Sequence, residues 1–63
     1  MMSSSFTADC TGERLDRALV RQLPDLSRSY AQRLIEDGRV TVDGTVRKAN
    51  YKLRGGEEII YTL

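Results

Sequence analysis

The sequence predicts a small α+β domain in which a two-helix hairpin packs on a small antiparallel sheet. Apolar residues recur at helical spacing over residues 13–35, and one proline interrupts that pattern near its middle. From Arg39 onward the apolar residues fall at every second position instead, which is typical of strands. The 63 residues suffice for one domain with a small core.

The first helix is predicted to begin at Glu13 and to end before Pro24. Thr11 is its candidate N-cap, and the acidic Glu13 suits the positive end of the helix dipole. Pro24 ends the helix because its ring clashes with the preceding turn. The residues at helical spacing are Leu15, Ala18, Leu19 and Leu23.

The second helix is predicted to begin after Ser27 and to end at Gly38. Ser27 is a favourable N-cap. Ala31, Leu34 and Ile35 share one face, which we expect to point inward. Gly38 can adopt the left-handed conformation that commonly ends a helix.

A β-hairpin is predicted after the helices. Val40 and Val42 alternate with polar residues, and Asp43-Gly44 is a type I′ turn signal that leads into Thr45-Val46. The irregular, basic stretch 47–54 follows, with Tyr51 and Leu53 as its predicted anchors in the core.

A closing strand is predicted over residues 57–63, after a turn at Gly55-Gly56. In this strand we expect Ile59, Tyr61 and Leu63 to share one face.

Residues 1–12 are predicted to be a flexible N-terminal lead, and residues 13–63 the domain proper. Residues 1–5 are polar and serine-rich, so we expect them to be disordered. The segment from Phe6 to Ala8 is a candidate short edge strand. Cys10, the single cysteine, is expected to behave as a small apolar residue.

Composition narrows the possible functions. The formal net charge is +1, there is no histidine, and one cysteine cannot form an internal disulfide, so neither a metal nor another cofactor is expected. No apolar run approaches the ~20 residues that cross a bilayer. The N-terminus lacks the features of a secretory signal, and we expect a cytoplasmic monomer with no membrane partner. With no nucleophile–base pair, this chain is not expected to be an enzyme.

Basic residues are the candidate binding groups. Eight of the ten are arginine, whose planar fork binds phosphate in bidentate fashion. The alternative is a set of solvated faces, with arginines paired to Glu13 or Asp25. The candidates are Arg14, Arg17 and Arg21 on the first helix, Ser27, Arg28, Gln32 and Arg33 on the second, and Lys48, Lys52 and Arg54 in the loop.

These residues and motifs resemble the S4-type RNA-binding domain, whose helical pair and adjoining loop form the alpha-L motif. The resemblance covers residues 13–61. Within that superfamily, the sequence is most similar to the N-terminal domain of the large pseudouridine synthase family. It rests on Arg14-Leu15-Asp16, the turn 24–29 (PDLSRS), Gln32, Leu34-Ile35, Gly38 and the hairpin 40–44 (VTVDG).

The resemblance implies an RNA-facing surface made by the helices and the following loop. It implies that ribosomal or transfer RNA is the partner, and that a catalytic domain lies beyond Leu63, so that the chain is a fragment of an enzyme. By matching positions, it implies RNA contacts at Arg14, Arg17, Ser27, Arg28, Gln32, Arg33 and Lys48.

One local match is misleading. Pseudouridine synthases carry their catalytic aspartate in a His-Arg-Leu-Asp context, and residues 13–16 read Glu-Arg-Leu-Asp. Because this triplet opens an amphipathic helix at the place where the S4-type pattern begins, we expect Asp16 to form a structural ion pair or hydrogen bond.

Three functions compete at this point. The leading hypothesis is a module that binds structured RNA through arginine–phosphate contacts. A DNA-binding helix-turn-helix is an alternative, although no third helix is predicted. A protein-docking module, in which the arginines only keep the surface soluble, is the other.

Overall fold

The computed structural model describes residues 3–9 and 11–63, which form two helices and a four-stranded antiparallel sheet. The predicted α+β fold class is confirmed, whereas Cys10 lies outside the described residues. In chain order the elements are β1 (Ser3–Thr7), α1 (Leu15–Gln22), α2 (Arg28–Glu36), β2 (Val40–Val42), β3 (Thr45–Val46) and β4 (Glu58–Thr62).

The sheet has the strand order β1-β4-β2-β3. The last strand, β4, therefore lies between β1 and β2. Ile59 of β4 is opposite Phe6 of β1 and Val42 of β2, so these three apolar side chains lie on the same face. This face packs towards the helices.

The N-terminal segment is more ordered than the sequence indicated. Residues Ser3–Thr7 form β1, which pairs with β4 along its whole length, from Ser3 opposite Thr62 to Thr7 opposite Glu58. The expected disorder of residues 3–5 is therefore wrong, because β4 supplies backbone partners that the local sequence does not reveal. Residues 1 and 2 lie outside the described residues, and the division after residue 12 stays a prediction.

Helix α1 begins two residues later than predicted, at Leu15. Its N-cap is Arg14, and Thr11 instead donates its hydroxyl to the carbonyl oxygen of Arg54 at 3.0 Å. The segment before the helix is extended, since Arg14 forms an antiparallel bridge with Lys52. The hydrogen bond from Thr11 to the distant Arg54 thus replaces the predicted capping of α1 by Thr11.

Helix α2 begins directly after Ser27, as predicted, and ends at Glu36, two residues before Gly38. The Ser27 side chain accepts a hydrogen bond from the backbone N–H of Tyr30 at 3.1 Å, and Gly38 has a φ of +77° just after the helix. Ala31, Leu34 and Ile35 are buried. The predicted cap, inward face and terminator are all confirmed.

The hairpin turn has the predicted geometry, with positive φ at both Asp43 and Gly44 (51° and 83°). In β4, Ile59 is buried and Tyr61 is half-buried, as expected. The predicted strand over residues 57–63 is shorter, because β4 spans Glu58–Thr62. Leu63 therefore follows the strand instead of continuing its inner face, and 48% of its surface is exposed.

The core lies between the helices and the inner face of the sheet. The loop 47–54 contributes to it, since Leu53 is buried and Tyr51 packs against its edge, which confirms both predicted anchors. Neither described helix has the length and apolar character that a bilayer-spanning segment requires. The largest fully buried apolar side chains are Leu15, Leu19, Ile35, Leu53, Ile59 and Val40.

Gly38→Ala is expected to lower the free energy of unfolding by about 1–2 kcal/mol, because a Cβ is strained in the left-handed conformation. No atom lies within 4 Å of the position a Cβ would take, so the cost is one of backbone conformation alone. Urea denaturation measures it. Gly38→Asn is the matched control and should cost less, since asparagine tolerates this conformation. Equal losses in the two variants would contradict the explanation.

Candidate nucleic-acid interface

Both helices and the loop after the hairpin border one open groove of about 630 Å³. We call it the basic groove, because five of its lining side chains are cationic and only one is acidic. The lining residues are Gly12, Glu13, Arg14, Arg17, Val20, Arg21, Arg28 and Lys52.

Backbone hydrogen bonds hold the loop against the start of α1. Leu53 N–H donates to the carbonyl of Glu13 at 2.8 Å, and Leu15 N–H donates to the carbonyl of Tyr51 at 2.9 Å. These bonds flank the bridge between Arg14 and Lys52. They place the loop lysine next to the helix arginines regardless of side-chain conformation.

Asp16 is the buried centre of this interface, with no exposed surface. Its Oδ1 accepts hydrogen bonds from Arg14 Nε at 3.2 Å and from the backbone N–H of Arg17 at 2.9 Å. Its Oδ2 accepts from Arg14 Nη2 at 3.1 Å and from Gln32 Nε2 at 2.9 Å. Arg28 Nε lies 3.8 Å from the same oxygen. The structural ion pair predicted for Asp16 is confirmed.

Opposing effects act on the ionisation of Asp16. Burial would raise its pKa, but hydrogen bonds from Gln32 and Arg14, and the charge of Arg14, outweigh burial and lower it. The carboxylate therefore stays charged at neutral pH. It fixes Arg14 at the rim of the basic groove and ties α2 to α1 through Gln32.

Arg21 is the most strongly paired cation in the groove. Its Nη2 lies 2.7 Å from Asp9 Oδ1 and 2.8 Å from Glu13 Oε1. Hydrogen bonds to Glu13 and Asp9 raise the pKa of its guanidinium. The two carboxylates offset its charge, so Arg21 adds less positive potential than its position suggests.

The remaining cations of the groove are less neutralised. Arg17 and Lys52 are exposed and, within the described part of the chain, form no ion pair. Arg28 is exposed, and its one ion pair among the described residues is the 3.8 Å contact with Asp16. These three side chains come from α1, the loop and α2, and they carry most of the groove's positive potential.

The other predicted site residues lie in different settings. Ser27 caps α2, and Gln32 is half-buried with its amide on Asp16. Arg33 and Arg54 are exposed but border neither the basic groove nor its neighbour described next. Whether any of these four contacts RNA stays a prediction.

A second groove, which we call the loop groove, has a volume of about 570 Å³ and shares Arg14 with the first. It contains the predicted Lys48, together with Arg47 and Asn50, which sequence reasoning did not assign as binding residues. The only signal for them was the basic character of residues 47–54 as a whole. Its lining residues are Arg14, Gln32, Ile35, Glu36, Val46, Arg47, Lys48, Ala49 and Asn50.

The chemistry of this surface is that of anion binding. Guanidinium and ammonium groups line the grooves, and their natural ligands are phosphate and carboxylate oxygens. Among residues 3–9 and 11–63, no three His, Cys, Asp or Glu side chains converge as a metal site would require.

The fold and this surface define the class of protein. The family model "S4 domain" matches residues 13–59, and the chain belongs to that family, an RNA-binding module. The resemblance inferred from the helix cap, the turns and the hairpin is thereby confirmed.

The curated relatives are pseudouridine synthases. The chain is 48% identical over 56 residues to an uncharacterized RNA pseudouridine synthase of Aquifex aeolicus, covering 87% of this chain and 18% of that protein. It is 42% identical over 59 residues to the ribosomal large subunit pseudouridine synthase D of Haemophilus ducreyi, covering 92% of this chain and 18% of that protein. The chain thus spans less than a fifth of these relatives.

Asp16→Asn is expected to lower the free energy of unfolding at pH 7 by about 2 kcal/mol, because the amide leaves buried donors unsatisfied. The wild-type pKa of Asp16 is lowered by folding, so the carboxylate stabilises the fold above its ordinary pKa of about 4. That contribution is lost as the pH falls through the lower, folded pKa. The gap between wild type and variant should therefore narrow at pH 3.

Urea denaturation at pH 7 and pH 3 provides this comparison. Asp25→Asn is the control, because Asp25 is an exposed carboxylate in the turn between the helices. It should change the stability little at either pH. A gap of the same size at both pH values in Asp16→Asn would show that the charge of Asp16 does not stabilise the fold.

Proposed function

We propose that this domain binds structured RNA, ribosomal or transfer RNA, by contacts between the cations of the basic groove and successive phosphates. The observation that carries the proposal is the convergence of Arg17, Arg28 and Lys52 from three chain segments on one groove. Backbone hydrogen bonds hold the loop against the start of α1, and the buried carboxylate of Asp16 joins α2 to α1. Charges scattered over the surface would not be connected in this way.

The shape of folded RNA suits such a surface. A-form helices hide base edges in a deep, narrow major groove, so a rigid helical pair meets backbone and geometry before it meets sequence. Phosphate contacts fix position and orientation, and arginine provides them in bidentate form. Recognition of shape rather than of a long sequence is the expected mode.

We further propose that the domain delivers RNA to a pseudouridine synthase catalytic domain elsewhere in a longer, cytoplasmic protein. The names of the relatives and the small share of their length that this chain spans support this assignment. On this proposal the chain itself supplies affinity and orientation, and the bond-making chemistry belongs to the other domain.

The alternative of a DNA-binding helix-turn-helix receives no support from the fold. The described residues contain two helices, and the apolar residues after Gly38 lie in strands and a loop rather than in a third helix. The protein-docking alternative predicts binding that ignores both RNA and salt. Both alternatives are separable by the titrations below.

In fluorescence anisotropy titrations, the chain is expected to bind a structured ribosomal RNA fragment at low salt and to lose affinity steeply as salt rises. If Arg14, Arg17, Arg28 and Lys52 neutralise about four phosphates, the slope of log K against log salt should be near −3 to −4. Duplex DNA of equal length serves as competitor. Absence of binding at low salt, or a preference for the DNA, would refute the proposal.

Arg28→Gln is expected to weaken RNA binding and to reduce the magnitude of the salt slope by about one, since one phosphate contact is lost. Arg39→Gln is the matched control. Arg39 is exposed, borders neither groove and is not among the predicted RNA-contact residues. The control should retain most of the affinity. Equal losses in both variants would place the RNA elsewhere on the surface.

A further inference from the structure

The loop after β3 holds an arginine over an aromatic ring. The guanidinium carbon of Arg47 lies 5.0 Å from the centroid of the Tyr51 ring, within the range of a cation–π contact. Arg47 is exposed and Tyr51 is half-buried. The pair therefore forms a flat, polarisable surface at the edge of the molecule.

Tyr51 is held in place by the core and by backbone hydrogen bonds. Tyr51 packs against the hydrophobic core, its N–H donates to the carbonyl of Lys48 at 3.0 Å, and its carbonyl accepts from Leu15 N–H at 2.9 Å. The ring restrains the long side chain of Arg47 in turn. A ligand that stacks here finds the pair already ordered, which lowers the entropic cost of binding.

A cavity of about 360 Å³ opens beside the pair. That volume lies within the ~300–1,000 Å³ typical of small-molecule sites. Val46 lines it and is 55% exposed, so its apolar side chain is accessible to a ligand. Lys48 and Asn50 complete the lining.

We propose that this cavity binds a single unstacked nucleobase of an RNA bulge or loop, with the base stacked on the guanidinium of Arg47, which itself lies over the Tyr51 ring. This proposal rests on the proposed function and adds to it a site that reads a base rather than a phosphate. Arg14 borders both the basic groove and the loop groove, and the cavity shares Arg47, Lys48 and Asn50 with the loop groove. A strand whose phosphates occupy the basic groove can therefore continue along the loop groove and place a nucleotide in the cavity.

The lining suits a nucleobase better than a second phosphate. Guanidinium planes and aromatic rings are the surfaces on which unstacked RNA bases pack. Val46 adds an apolar contact, which would offer nothing to a phosphate. The carboxamide of Asn50 has donors and an acceptor that match a base edge, and Lys48 can meet the phosphate of the same nucleotide.

The test compares two RNAs that differ only in one base. Both carry the same stem with a one-nucleotide bulge, which is an adenosine in the first RNA and an abasic residue in the second. The wild-type chain should bind the first about fivefold or more tightly than the second, as expected for one stacked base. Anisotropy titrations give both affinities.

Arg47→Lys should abolish this discrimination while leaving the affinity for the abasic RNA and the salt slope near wild type. Lysine keeps the positive charge but lacks the planar guanidinium. Tyr51→Phe is the matched control, since it keeps the ring and should keep the discrimination. Circular dichroism and thermal unfolding establish that both variants are folded.

The outcomes separate this inference from the proposed function. Equal affinity for the two RNAs, with binding still weakened by Arg28→Gln, would overturn the base site and leave the proposed function intact. Discrimination that survives Arg47→Lys would also overturn the base site. Binding to neither RNA at low salt would refute the proposed function and the base site together.

Discussion

The buried carboxylate of Asp16 is the interaction on which the rest of the surface depends. A charge in the interior is costly unless donors surround it. Here both oxygens accept hydrogen bonds, from Arg14, Gln32 and the backbone N–H of Arg17. The Asp16 carboxylate thus stabilises the start of α1, joins α2 to α1 and orders Arg14 in the basic groove. Packing of the helices and presentation of the cations therefore have a common origin.

Two carboxylates outside the groove help to explain how a chain with a net charge of +1 has a basic groove. Glu57 accepts hydrogen bonds from the backbone N–H groups of Arg54 and Gly55, and the bond from Arg54 is the main cause of its lowered pKa. Asp43 accepts from the N–H of Glu58. These acids order turns instead of neutralising groove cations. The net charge of the whole chain therefore does not indicate the electrostatic potential of the basic groove.

The sequence predicted those features that a few neighbouring residues determine. Ser27 caps α2, Gly38 ends it and Asp43-Gly44 turns the hairpin, because each depends on local backbone conformation. Prediction from the sequence failed where the conformation of a segment depends on a partner that is distant in the chain. Ser3 belongs to a strand only because β4, from the other end of the chain, pairs with it, and Thr11 is drawn away from its expected cap by the loop.

The candidate site divides in the same way. The sequence shows that three segments carry cations, and the family resemblance implied that these segments share one surface. Which of the cations are neutralised by acidic partners could not be predicted, because pairing depends on tertiary positions. Arg21 and Arg17 are alike in sequence, yet only Arg21 meets Asp9 and Glu13. The Arg47–Tyr51 contact likewise requires the turn at residues 48–51 to bring the ring under the guanidinium.

Distances around Asp16 indicate how binding can proceed without destabilising the fold. Arg14 is within hydrogen-bond reach of the carboxylate at 3.1 Å, whereas Arg28 stands at 3.8 Å and is 57% exposed. A phosphate in the groove competes with Asp16 for both guanidinium groups. Arg28 can turn towards the phosphate while Arg14, Gln32 and a backbone N–H still satisfy the carboxylate. The two arginines therefore have different roles. Arg14 keeps Nε and Nη2 on the buried carboxylate and offers Nη1 to a phosphate, whereas Arg28 can turn its whole guanidinium towards the RNA.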